Sequence, residues 1–215
     1  MILVIDTSGP VCAAGIYDAG SSTLLASISE NLGKGHAERL IPMIDEVMTQ
    51  AGSSLQQMTR IAVTVGPGSF TGIRVGVAAA RGFALSLGIS AIGVSTLQVV
   101  AEEVLEIGPP SSVTAAIDAG RDEIYAQVFA PDGEALTDPQ IYDYDDVRAV
   151  VSRFDSILTG SGAGALEGRP REQDLYPLDR IGRIGARLDD DVKASPVYLR
   201  GAGAKPQTGF AIKHV

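Results

Sequence analysis

The run Val63-Thr64-Val65-Gly66-Pro67-Gly68-Ser69-Phe70-Thr71-Gly72-Ile73-Arg74-Val75-Gly76 constrains this chain more than any other stretch. Ile61, Ala62, Val63 and Val65 form a short apolar run suited to a central strand. Pro67 has no N–H for a ladder, so the strand ends before it. A glycine-rich turn follows, and Ser69 or Thr71 can cap a helix. In that helix Gly72, Gly76, Ala80, Ala84 and Gly88 fall every fourth residue and share one ridge nearly free of side chains. Glycine costs a helix up to about 1 kcal/mol relative to alanine, so something must pack very close to this backbone. The partner is another helix, in this chain or in another. Arg74 and Arg81, seven apart, share a different face, and arginine's planar fork suits interfaces. A strand, glycine turn and helix can also cradle phosphate. The spacing Gly-x-Gly-x-x-x-Gly is not the dinucleotide fingerprint, however, and no Gly-Lys-Ser/Thr is present.

The rest of the 215-residue sequence narrows the classes. A chain of this length buries roughly 70% of its unfolded surface, enough for one large or two small cores. A net charge of −9 argues against a free-standing nucleic-acid binder, which needs clustered Lys and Arg. It leaves open a subunit whose partner holds the nucleic acid. Cys12 is the only cysteine, so no disulfide framework exists, and it reads as a small buried hydrophobe. His36 and His214 form no His-x-x-x-His pair. No signal peptide and no membrane-spanning stretch are expected, and the expected location is cytoplasmic.

Along the chain, Met1 to Ile5, Val11 to Tyr17 and Leu24 to Ile28 read as an antiparallel meander. His36 to Ala51 has helical period, with Leu40, Ile44, Val47, Met48 and Ala51 in one stripe that Ile41 and Met43 widen. A stripe this wide fits either a helix well covered by its own sheet or one covered on two sides, by the sheet and by a partner. Strand Ile89 to Val94 and helix Ser95 to Leu105 precede a linker at Gly108-Pro109-Pro110. The next segment repeats the order. Ala115-Ala116-Ile117-Asp118-Ala119-Gly120 echoes Leu3 to Gly9. A meander, a helix from Asp143 to Phe154, a strand at Ser156 to Thr159 and a glycine loop at Gly160 to Gly164 follow. The chain is therefore expected to be α/β, with two related lobes, 1–108 and 109–215, facing across a cleft. The second lobe is poorer in helix after its loop, Pro196 to Arg200 is extended, and a loose tail begins at Gly201.

Three chemistries compete. Asp6 and Asp118, each in an Ile-Asp turn, invite an aspartic-protease dyad, which the helical segments oppose. A phosphate cleft like that of two-lobed sugar kinases and actin-like ATPases fits the order of Asp6-Thr7-Ser8, Gly66, Gly68, Ser69, Asp118, Gly120, Gly160 and Gly162. There Arg121-Asp122-Glu123 replaces the expected glycine and threonine, and two carboxylates repel a triphosphate unless a metal intervenes. The cleft is therefore expected to be degenerate for nucleotide. His36-x-Glu38 offers too few ligands for a closed metal site, and both residues are expected at the surface or as caps.

Ile5-Asp6-Thr7-Ser8, Gly35 to Ile44, Gly66 to Gly76 and Pro196-Val197-Tyr198-Leu199-Arg200 together resemble the bacterial TsaB (YeaZ) family over nearly the whole chain. The resemblance implies two ribonuclease H-like lobes of the actin/sugar-kinase (ASKHA) type, the second reduced. It implies a role in forming N6-threonylcarbamoyladenosine beside the anticodon of ANN-decoding tRNAs. In that system the paralogue TsaD carries the metal-binding His pair and transfers the group, and the small ATPase TsaE joins. The chain is then a non-catalytic scaffold or activator that needs no cofactor of its own and meets tRNA only through the complex. ATP, ADP and metal belong to the partners. Alone it is expected to form a homodimer through the same two N-terminal helices. The expected contacts are Leu40, Met43, Ile44, Val47, Ile73, Gly76, Val77, Ala80 and Arg81, with leucine at 76 or 80 blocking pairing and sparing the monomer. The alternatives are an ATP-dependent kinase or hydrolase of the same fold, and a protease.

Overall fold

The computed structural model describes residues 1–170 and 172–200; the tail expected from Gly201 onward lies outside the described residues. The first meander is β1 (Ile2–Asp6), β2 (Val11–Asp18) and β3 (Thr23–Asn31), followed by helix α1 (His36–Gln50). The central motif folds as read, into β4 (Arg60–Gly66) and α2 (Phe70–Leu87), and β5 (Ser90–Ser95) completes a sheet of order β3-β2-β1-β4-β5. The meander pairs antiparallel, whereas β1, β4 and β5 run parallel.

Strand alternation assigns the faces. Leu3, Ile5, Ile61, Val63 and Val65 point to one side and pack with Leu40, Met43, Ile44 and Val47 of α1 and Ile73, Val77 and Ala80 of α2. Ile2, Val4 and Ala62 point to the other. α2 is long and apolar enough, by length and composition, to cross a membrane, contrary to expectation. Its glycine ridge instead lies on the sheet, and Arg74 and Arg81 interrupt its outer face.

The second lobe repeats the plan. Helix α3 (Thr96–Leu105) leads to β6 (Val113–Gly120), β7 (Glu123–Phe129), β8 (Gln140–Asp143), α4 (Tyr144–Phe154), β9 (Ile157–Thr159) and the six-residue α5 (Ser161–Leu166), with sheet order β8-β7-β6-β9. Asp143 caps α4 by accepting from the Asp146 N–H at 2.8 Å.

The expected boundary at residue 108 does not divide the packing. α3 lays Leu97, Val100 and Ala101 on Val113, Ala115 and Ile117 of the second sheet. The last helix, α6 (Leu178–Arg187), returns to the first sheet and puts Leu178, Ile181 and Ile184 on Ile2, Val4 and Tyr17. Gly182 and Gly185 allow this approach, because a Cβ there would strike the Tyr17 ring or the Ala62 methyl. Arg187 closes the pair of helices with a fork on the buried Glu102 carboxylate, at 2.7 and 2.5 Å. Beyond α6 the chain still follows the first sheet, where Gly93 N–H donates to Val192 O and Val197 N–H to Val65 O.

Cys12 is fully buried in the first core, and burial raises its thiol pKa to about 11. Ellman's reagent should leave it unmodified in the native protein and react fully in denaturant. Rapid native labelling would contradict this packing.

Candidate functional site

The two acidic turns and two glycine turns meet in pairs. In the first lobe, Asp6 Oδ1 accepts from Ser8 N–H at 3.0 Å, Ser8 Oγ at 2.6 Å and Thr64 Oγ1 at 2.6 Å. Thr7 Oγ1 donates to Gly72 O at 2.7 Å, and Ser69 N–H to Ser8 O at 2.7 Å. The glycines are explained by this contact. A Cβ at Gly68 would fall on Ser8 O, one at Gly72 on Thr7 O and one at Gly76 on Thr7 Oγ1. Gly66 is buried with φ 95°, a left-handed conformation that L side chains rarely adopt. Gly72 and Gly76 therefore seat the start of α2 on the β1–β2 turn of its own chain.

Asp6, Thr7 and Ser8 are at most 2% exposed, and Asp6 Oδ1 and the Thr7 and Ser8 hydroxyls are bonded within this joint, so they do not fit a magnesium–triphosphate group. Burial pushes the Asp6 carboxyl above its ordinary range, against the opposing effects of the Ser8 and Thr64 hydrogen bonds and of nearby His36. His36 is not the surface residue expected. It is 7% exposed, and its Nε2 lies 3.1 Å from Gly9 O.

In the second lobe, Gly160 and Gly162 lie where a Cβ would strike Ala116. Asp118 accepts from Gly120 N–H at 2.7 Å, and Asp118 N–H donates to Ser161 Oγ at 2.8 Å. Asp174, which nothing in the sequence singles out, accepts from Ser161 N–H at 2.8 Å and from Ser161 Oγ. Burial raises the Asp174 carboxyl and, more strongly, the Tyr176 phenol. Asp174 and Tyr176 belong to the strap 172–177 that carries the chain from α5 to α6. The strap passes Gly9, where a Cβ would lie 3.9 Å from Tyr176. The ten cleft residues thus fall into two packed joints, with the chain's own strap beside both. Among the described residues, no group of three or more His, Cys, Asp or Glu is placed to hold a metal ion.

The outer surface of α1 and α2 differs from expectation in its residues. Leu40, Met43, Ile44, Val47, Ile73, Val77 and Ala80 are at most 3% exposed, and Gly76 is buried as well. They form the core-facing stripes, and of the nine expected contacts only Arg81 is exposed. Leucine at 76 would therefore break the fold before it touched any partner. The exposed side carries Ile41 at 50%, Phe70 at 43% and Leu85 at 86%, with Pro42, Arg74 and Ala78. Tyr198 joins them from the C-terminal segment. The Arg74 guanidinium lies 3.7 Å from the Phe70 ring centroid and donates through Nε to Tyr198 Oη at 2.8 Å. Phe70 and Arg74 are one helical turn apart, a signal that sequence spacing offers; Tyr198 carries none.

Comparison with known proteins gives consistent matches. The family model described as TsaD, tRNA N6-adenosine threonylcarbamoyltransferase, matches residues 25–158. The tRNA threonylcarbamoyladenosine biosynthesis protein TsaB of Escherichia coli is 36% identical over 93% of this chain and 94% of its own length. The TsaB protein of Haemophilus influenzae is 37% identical over 58% of this chain and 51% of its length. Among solved structures, YeaZ from Pseudomonas aeruginosa superposes with a TM-score of 0.73 at 29% identity, covering 92% of this chain and 99% of that one. A second match, described as an uncharacterized protein with similarity to peptidase YEAZ from Pseudomonas aeruginosa, gives a TM-score of 0.74 at 29% identity over 93% and 99%.

Proposed function

Because the chain belongs to the TsaB (YeaZ) family of tRNA threonylcarbamoyladenosine biosynthesis proteins, with its two-lobed actin-like fold, we propose that it is a non-catalytic subunit of the modifying complex. It docks the outer faces of α1 and α2 on the catalytic paralogue TsaD and works with TsaE in the cytoplasm. The observation that carries this reading is the Phe70–Arg74–Tyr198 cluster, with Ile41 and Leu85 also exposed on the outer faces of α1 and α2. Aromatic residues and arginine of this kind dominate interface energies.

The two acidic turns support the non-catalytic half of the reading, since most of their polar atoms serve internal joints. The isolated subunit therefore uses no nucleotide or metal of its own, and tRNA reaches it only through the assembly. When TsaD is absent, the same faces pair two copies. The outer side of α1 offers Glu38 and Asp45 and that of α2 offers Arg74 and Arg81, so a two-fold arrangement sets acid against base.

Reconstitution tests the proposal. TsaD and TsaE, supplied with tRNA and the threonylcarbamoyl donor, should form the modified adenosine efficiently only when this chain is added. The chain alone should neither modify tRNA nor turn over ATP. Efficient ATP hydrolysis or proteolysis by the purified chain, lost in an Asp6→Asn variant, would overturn it.

A further inference from the structure

One cavity lies away from the docking face and between the two joints, touching each at a carboxylate. It has a volume of about 250 Å³ and is walled by β1 and β2 on one side and by the strap and start of α6 on the other. Val11, Ala13 and Leu178 make it largely apolar, and Asp6, Asp174 and Tyr176 also line it. Asp6 is 2% exposed, and all three of its hydrogen bonds end on Oδ1. Among the described residues Oδ2 takes part in none. A carboxylate has acceptor sites on both oxygens, and a buried charge calls for a counter-charge or donors. His36 is near enough to be felt electrostatically, but its Nε2 is committed to Gly9 O. No Lys, Arg or His is among the described residues that line the cavity.

We propose that this cavity binds a small primary ammonium ion with a short aliphatic body. The –NH3⁺ group donates to Asp6 Oδ2 and faces the negative field of Asp174 and the Tyr176 ring, while the carbon chain lies against Val11, Ala13 and Leu178. A zwitterionic amino acid is disfavoured, because the cavity offers no cation to its carboxylate. A divalent metal is disfavoured by the scarcity of oxygen ligands. The space equals about eight water molecules at roughly 30 Å³ each, ample for a four-heavy-atom amine.

The test is an amide NMR titration of the full ¹⁵N-labelled chain with n-propylammonium chloride, using n-propanol as its neutral twin. Ligand-efficiency limits put the dissociation constant no tighter than about 10⁻⁵ M. The amides of Gly9, Val11 and Ala13 should shift saturably with the amine and not with the alcohol. Asp6→Asn should weaken the response about tenfold or more. Since Asp6 also holds Ser8 and Thr64, Val11→Phe provides a second variant that fills the cavity and should abolish the shifts. Equal binding of the alcohol, no response of the native chain, or persistence of the amine shifts in Val11→Phe would each overturn the proposal.

Discussion

Gly72→Val is expected to abolish folding, and Gly72→Ala to cost about 3 kcal/mol, the upper end for adding one group to a close-packed interior. The site has no slack. The new Cβ falls on the carbonyl oxygen of Thr7, whose own hydroxyl is bonded to Gly72 O. Retreat of α2 would break that bond and the one from Ser69 N–H to Ser8 O. Valine adds two methyl groups to the same collision, and the total approaches the 5–15 kcal/mol that holds a typical domain together. Gly82 is the internal control. It occupies the same helix, is exposed, and a Cβ there meets nothing within 4 Å. Gly82→Ala should therefore stabilise by about 0.5–1 kcal/mol. Urea unfolding of the three variants decides the matter. A Gly72→Ala protein as stable as the parent would refute the contact between α2 and the β1–β2 turn.

The second large effect concerns partner binding. Ile41→Asp combined with Phe70→Ala should weaken association with TsaD at least about 100-fold, because central aromatic and aliphatic anchors carry roughly 2–4 kcal/mol each. Neither side chain is part of the core, so the melting temperature should stay within a few degrees. Tyr198→Ala should weaken binding by a smaller factor, since it frees Arg74 without removing it. Titration calorimetry against TsaD measures the affinities, and the modified-nucleoside content of depleted cells supplied with each variant gives the cellular readout. Unchanged affinity in the double variant would remove the outer face of α1 and α2 from the interface.

The sequence carried the order of the elements, because glycine turns, β-branched runs and helical periods are local signals. It also carried the close approach at Gly72 and Gly76, though not the identity of the neighbour. A small-residue ridge looks the same whether it meets a helix or a turn, and only the carbonyl of Thr7, 65 residues away, distinguishes them. For the same reason Leu40, Met43 and Val47 read as candidate contacts when they are core. A wide apolar stripe does not show how much of it a sheet covers. The burial of His36 is not legible locally, because its partner, Gly9 O, lies 27 residues away. Asp174 has no local pattern at all, and Tyr198 stands in a family-like run whose spacing does not show what the ring touches. Their roles come from where the strap and the C-terminal segment are led by the packing of α6.

That packing of α6 also sets an order of events during synthesis. The face of the first sheet bearing Ile2, Val4 and Tyr17 shares its cluster with Val99 of α3, but Leu178, Ile181 and Ile184 of α6 supply most of its helical cover among the described residues. A nascent polypeptide leaving the ribosome must therefore carry a largely uncovered oily patch until α6, Leu178–Arg187, has emerged. Such a patch is an invitation to holdase chaperones. A gene split near codon 108 would yield two fragments, each missing a lid that the other retains, so they would be soluble together and sticky apart.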